Sequence, residues 1–405
     1  MRKTTFAKIY LSMIFALVIF YIREAMWIYS KLEIEHSHMR NYLQLLAVFL
    51  VAAFVFFNLK QRIRIDKLGV FFLLWTFGCI MNLIVAPYSD VTYSLLASAV
   101  NFLYVCCVFI FFFVLFSKSD VFLFFVNKLV IVALIVFAYI YLQTYSMMTI
   151  IIAEDMVITS NSYYVLIMLP FVLLINNKIL KFLLILTIAV CSIMATKRGG
   201  IIAFMVAMIA YYVVEHIFIK KSKYMLRNIF IFLFSMAVLF AGFYFFDQRY
   251  NSGYLVERLD RMEEDEGSGR IRVYEEVYKG IKNSTATTFL FGHGFYTTTE
   301  VTSKRNTAHN DFLEVLYDYG FFMFLLYLWL HIFLLRYSIR LIRQKSPFAA
   351  PMVVSCSIFF VFSMVSHVII YPNFSVFAMF WGMLLGVINK NKKASLYENR
   401  NFNVS

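Results

Sequence analysis

The sequence predicts an all-α polytopic membrane protein of about twelve transmembrane helices, with one large hydrophilic loop between the ninth and tenth. Three observations predict it. Of 405 residues, 62% are hydrophobic and 15% charged, whereas a soluble domain is nearer half apolar and a quarter charged. Apolar runs of about 20 residues, the length that crosses a bilayer core, recur from end to end. The 47 Phe add more greasy surface than one globular core can hide. Lipid must therefore act as the solvent, and a segment in lipid satisfies its backbone hydrogen bonds by becoming a helix.

The expected spans are 6–22, 42–59, 68–87, 95–117, 121–142, 163–177, 179–196, 200–218, 228–246, 312–335, 349–370 and 374–388. The first follows MRKTTFAKIY and ends at Tyr21-Ile22-Arg23-Glu24 without a small-residue cleavage motif, so it reads as an uncleaved helix. The sixth and twelfth are short for a full crossing. Lysine and arginine set the orientation. Arg2, Lys3 and Lys8 precede the first span; Lys60, Arg62, Arg64 and Lys67 follow the second. Lys220, Lys221, Lys223 and Arg227 follow the eighth; Arg336, Arg340, Arg343 and Lys345 follow the tenth; Lys390, Lys392 and Lys393 follow the twelfth. All fall on one side, the cytoplasm, with both termini. The opposite loops at 143–162 and 371–373 carry no Lys or Arg. The division is then 1–160 for the first five spans, 161–388 for a second unit that includes the external loop 247–311, and 389–405 for a polar cytoplasmic tail expected to be disordered.

The net charge of +14 belongs to these cytoplasmic loops. No basic groove with interleaved aromatics accompanies it, so nucleic acid is not an expected partner. Cys79, Cys106, Cys107, Cys191 and Cys356 all lie inside apolar runs, without metal-site spacing, and read as small core residues.

The loop 247–311 holds the acidic run Asp260 to Glu266 and then Gly267-Ser268-Gly269-Arg270. Ile271, Tyr274, Val277, Tyr278 and Ile281 recur at three- and four-residue steps. They make one apolar stripe on a surface helix starting near Ser268, as N-cap, and ending at Asn283-Ser284. Gly292-His293-Gly294 reads as a turn.

Four features can carry chemistry. Thr196-Lys197-Arg198-Gly199-Gly200 puts two cations at the external end of a span, where cations are scarce. They either snorkel to lipid phosphates or clamp a diphosphate, which suits the arginine fork. Arg270 either caps an ordinary solvated helix or meets Arg198 to complete that anion site. His309-Asn310-Asp311-Phe312-Leu313-Glu314 marks re-entry into the membrane. Here His309 is either an interfacial cap or a base kept neutral by nearby cations, with Asn310 for a sugar hydroxyl and Glu314 to orient a neighbour. Lys128, Glu215, His216, His331 and His367 are ionisable residues within spans. Of these His367 lies near the external end and can join the site. No G-x-S-x-G elbow, Walker loop, H-E-x-x-H or paired-Asp motif occurs, so no metal and no cofactor are expected.

The order of these features resembles the O-antigen ligase and O-antigen polymerase superfamily. It is carried by Lys197-Arg198-Gly199 at the end of a mid-chain span, Ser268-Gly269-Arg270 and Tyr274 in the long loop, Gly292-x-Gly294, and His309-Asn310 followed by Gly320. The likeness covers roughly 160–388; relatives often have Ser-Arg-Gly where this chain has Lys-Arg-Gly. It implies a GT-C-like bundle in the bacterial inner membrane, open laterally to lipid, with its site facing the periplasm. The donor would be a glycan on undecaprenyl diphosphate, and the acceptor a sugar hydroxyl on a glycan or on lipid A-core. No metal would take part. Arg198 and Arg270 would hold the diphosphate, with Lys197, Tyr274, Asn310, Glu314 and His367 lining the substrate, and His309 would activate the acceptor. A chain-length regulator or a flippase would be the protein partners. Ligase and polymerase stand even, because the acceptor separates them and no residue reports it. A lipid-linked oligosaccharide flippase is the alternative class, but no matched halves with broken helices are visible.

Overall fold

Apolar runs with no water to pair with close their own backbone hydrogen bonds, and helices follow the expected segments in turn. The computed structural model describes residues 2–29, 37–58, 67–85, 95–152, 161–195, 197–220, 266–303, 307–369 and 373–402, with isolated residues between 227 and 249. The expected ninth span at 228–246, apart from those isolated residues, and the acidic run at 260–265 lie outside the described residues.

The first four helices are α1 (Arg2–Tyr29), α2 (Ser37–Asn58), α3 (Lys67–Val85) and α4 (Leu95–Lys118). α5 starts as Phe122–Phe124, passes through a π turn at Phe125–Leu129 and continues as Val130–Ile152. Two short helices follow, α6 (Ser162–Leu166) and α7 (Leu169–Val172), then α8 (Lys178–Met194) and α9 (Arg198–Tyr212), which ends in a π turn at Val213–Ile219. The hydrophilic segment forms α10 (Glu266–Lys282), α11 (Ala286–Phe291) and α12 (Thr298–Val301). α13 (Asp311–Glu314) and a π turn (Val315–Tyr319) lead into α14 (Gly320–Arg343), α15 (Ala349–Val365) and α16 (Asn373–Phe402).

Among the described residues six helices are long and apolar enough to cross a membrane, and shorter apolar helices lie at Asn41–Val55, Ser162–Val172 and Ala349–Val365. Large side chains such as Ile179 (75% exposed), Phe49 (70%) and Phe182 (65%) stand on the outer surface. Water would penalise that surface and lipid does not.

Three expectations shift. The sixth span is not one helix: Pro170 starts a second short helix after a turn at Ile167–Met168. Residues 161–173 are all buried, and broken backbone at membrane depth is tolerated where protein surrounds it. The tail from Asn389 continues as helix to Phe402, since no Gly or Pro interrupts it. The amphipathic helix starts at Glu266, so Ser268 lies inside its first turn rather than capping it.

α4 packs along α16, α9 along α15, and α2 and α3 against α4. The seams are aromatic: Phe72 stacks on Phe109 at 4.6 Å and Phe359 meets Trp381 edge-on at 5.2 Å. This bundle presents one end, where α8, α9, α13, α14 and α15 meet, to helices α10–α12.

Candidate active site

The junction at 307–314 is built by its own side chains. Asn310 Oδ1 accepts from the N–H of Phe312 (3.0 Å) and Leu313 (3.2 Å), capping α13. Asn310 therefore does the capping that His309 was a candidate for, while His309 sits at a left-handed φ of 52°. That conformation costs a side-chain-bearing residue energy and needs outside support. Glu314 supplies it: one carboxylate oxygen accepts from the backbone N–H of His309 at 3.2 Å and from that of Ala308. Asp311, one turn earlier on the same face, reaches the other strand of the site. Its Oδ1 accepts from the N–H of Val368 (3.1 Å), and its Oδ2 from the Tyr327 hydroxyl (3.0 Å). Both side chains are buried; buried polar groups persist only where hydrogen-bond partners meet them.

These two clamps bring the loops carrying His309 and His367 together, with ring centroids 4.8 Å apart. His367 Nδ1 faces the second oxygen of Glu314, and its Nε2 faces the Thr307 hydroxyl. A neutral ring protonated on Nδ1 satisfies both contacts, donating to Glu314 and accepting from Thr307. Burial, first, and then His367, Lys197 and Arg270 push the His309 imidazole well below the ordinary histidine value. Burial, Lys197 and Arg270 act on His367 in the same direction. Both rings are thus neutral at physiological pH, His309 with a basic lone pair.

The cations come from two separate elements. Lys197 is the N-cap position of α9 and holds its ammonium 5.5 Å from the centroid of the Tyr163 ring. Tyr163 stacks on Phe362 at 4.3 Å. The room left by Gly199 and Gly200 is taken by this tyrosine: a Cβ on Gly199 would lie 2.8 Å from its hydroxyl. Arg198, half-buried, opens α9 directly after Lys197. Arg270, also half-buried, lies in the first turns of α10. One turn on, Tyr274 donates to the Met364 carbonyl at 3.3 Å, fastening α10 to the end of α15 just before His367. The expected stripe of α10 divides. Val277 is buried and, with Val273 and Ile281, packs on Ala308, Leu313 and Tyr317. Ile271 and Tyr278 remain exposed.

Asp318 ties the hydrophilic segment to the bundle. Its Oδ1 accepts from the Thr298 N–H (2.8 Å), the Thr298 hydroxyl (2.6 Å) and the Thr297 hydroxyl (3.2 Å). Gly292 (φ 89°) and Gly320 (φ 82°) lie back to back, and a Cβ on Gly320 would come within 2.4 Å of the Gly292 nitrogen. Asn82 of α3 closes the seam by donating to the carbonyls of Phe291 (3.0 Å) and Asp318 (3.2 Å).

Asp311, Glu314 and His367 have ligand atoms within 4.8 Å of one another, a hard oxygen and nitrogen set of the type that holds a divalent cation. The geometry also has a reading without one. Both Asp311 oxygens and one Glu314 oxygen already accept from N–H and O–H donors, and the remaining Glu314 oxygen faces His367.

Of the residues singled out in the sequence, Lys197, Arg270, Tyr274, His309, Asn310, Glu314 and His367 converge here, with Arg198 alongside. Glu215 pairs with Lys220 at 2.9 Å and His216 stacks on Tyr212 at 4.7 Å, both at the far end of α9. Lys128 lies in the π turn of α5. His331 sits one turn below Tyr327, against Phe312. Thr307, Asp311, Tyr163 and Asp318 were not anticipated. The acids could have been: Asp311, Glu314 and Asp318 are three carboxylates within eight residues entering an apolar run, and such residues are rare in membranes without a role.

No curated protein matches the chain. Residues 182–328 match the Wzy_C family model, described as O-Antigen ligase, a stretch that runs from α8 into α14 and holds both cation elements and His309 but not His367. With the membrane helices and the histidine beside cations already in place, that match makes residues 182–328 similar to the Wzy_C O-antigen ligase family.

Proposed function

We propose that this protein is a membrane glycosyltransferase that moves a glycan from undecaprenyl diphosphate to a sugar hydroxyl during surface polysaccharide assembly. The observation that carries the reading is His309, a half-buried neutral imidazole beside Lys197 and Arg270 at the end of a membrane bundle. A lipid diphosphate is already a good leaving group and needs charge stabilisation more than a general acid. In the transfer, the acceptor oxygen bonds to the anomeric carbon as the bond from that carbon to the diphosphate breaks. The hydroxyl proton passes to His309, and the departing negative charge falls to Arg270, Lys197 and Arg198. Binding of the anionic donor offsets the cations that depress His309 and so makes it a better base. Glu314 and His367 hold His309 in place, and the chemistry needs no metal. A cavity of about 470 Å³ beside His331, lined by Val206, Leu335, Ile339 and Phe360, begins below Tyr327 and suits the polyprenyl tail. The site would face the periplasm.

The test is transfer by the purified full chain in liposomes, given an undecaprenyl-diphosphate glycan and candidate acceptors, with and without chelator. Chain extension identifies a polymerase and attachment to lipid A-core a ligase. Export of donor across the liposome without bond formation identifies a transporter and rejects the reading; loss of transfer in chelator rejects its metal independence.

A further inference from the structure

We propose that the end of the bundle remote from His309 binds an anionic glycerophospholipid, its phosphate on Lys178, Lys181 and Lys345 and its acyl chain against Phe182 and Ile185. α8, α9, α14 and α15 each have one end at the candidate active site. Their other ends surround a cavity of about 690 Å³. α8 has 17 residues and so spans about 26 Å, nearly a bilayer core. The cavity therefore meets the opposite leaflet.

Its charges are mostly positive. Lys178, Lys181, Lys220 and Lys345 line it with one acid, Glu215, which Lys220 engages at 2.9 Å. Lys181 donates one hydrogen bond to the Leu173 carbonyl at 2.8 Å and keeps further ammonium hydrogens for a ligand. Lys178 and Lys345 are exposed. The remaining wall is apolar, with Phe122, Phe182, Ile185, Tyr211 and Phe348, and it runs outward through Phe182, 65% exposed, onto the lipid-facing side of α8. A soluble anion would use the lysines and leave that wall bare, whereas an amphiphile with a phosphate head fills both halves. Basic cavities between helix ends on the lysine-rich side of a membrane protein suit such head groups. The inference does not rest on the transfer chemistry, and its test reads binding directly.

Native mass spectrometry of the full chain in micelles holding equal phosphatidylglycerol and phosphatidylcholine, with matched acyl chains, tests it. The wild type is expected to retain phosphatidylglycerol at least tenfold over phosphatidylcholine. Lys178→Gln/Lys181→Gln/Lys345→Gln is expected to lose that preference. Lys178→Gln/Lys345→Gln, which alters only exposed side chains, is expected to lower it at least threefold with unchanged size-exclusion behaviour. Equal retention of the two lipids, an undiminished preference in the double variant, or displacement by inorganic phosphate at the lipid's own concentration would each overturn the proposal.

Discussion

Where α4 meets α16 the chain buries rings against glycines; where α13 meets helices α10–α12 it buries carboxylates. At the first seam Gly382 and Gly386 let two backbones approach: a Cβ there would come within 2.6 Å of the Phe109 carbonyl and 2.7 Å of the Phe113 carbonyl. Phe109 and Phe112 fill the remaining space. At the second seam Asp311 and Glu314 hold two loops by their backbone N–H groups, and a left-handed His309 results. The first arrangement minimises volume, which in lipid is what drives helices together. The second stores strain and aligns lone pairs, which contributes little to packing and much to chemistry. One bundle thus separates the residues that hold it together from those that act.

The sharpest way to break this contrast is to remove the base. His309→Ala is expected to lower transfer by about 10²–10⁴-fold with unchanged protein level and melting temperature; comparable activity would return the site to mere packing. Arg270→Ala should cost about 2–4 kcal/mol of transition-state stabilisation, read as a drop in kcat/KM of roughly 30- to 1000-fold. The reverse pattern is expected at the aromatic seam. Gly386→Ala should destabilise the bundle by about 1–3 kcal/mol, seen in the thermal melt, while the folded fraction keeps its kcat. A pH series sharpens the comparison further. Both site imidazoles lie below the ordinary histidine value in the folded state, so the unfolded chain takes up protons that the folded one refuses. Stability should hold above about pH 6.5 and fall as pH drops below it; substituting both His309 and His367 by Gln should flatten that limb. The smallest effect is expected from Phe109→Leu, about 1 kcal/mol of stability and unchanged transfer.

Hydropathy was enough to place helices over every expected segment that the structure describes, because lipid leaves the backbone one economical choice. It misjudged the sixth span, where Pro170 divides an apolar run that hydropathy alone reads as continuous. The Gly382-x-x-x-Gly386 spacing was open to inspection as a close-packing signal and passed unremarked. At the site, Lys197, Arg270, His309, Glu314 and His367 stood out as charges and imidazoles in the wrong place for a membrane edge. Asp311 was hidden beside His309, since nothing in its neighbours says that it will grip Val368, 57 residues away.

Linear order, then, settled the solvent of this chain, its helical class, the hydrophilic excursion and the short roll of ionisable residues near the membrane surface, because each depends on composition within a window of about 20 residues. Folding alone decided which of those residues meet. It set Lys197 over the Tyr163 ring, gave Glu314 both histidines to touch, and filled the Gly199-Gly200 gap with a tyrosine. Such choices depend on side chains from α6, α9, α10, α13 and α15 arriving within a few ångströms of one another, and no local pattern encodes distances between segments so far apart in the chain.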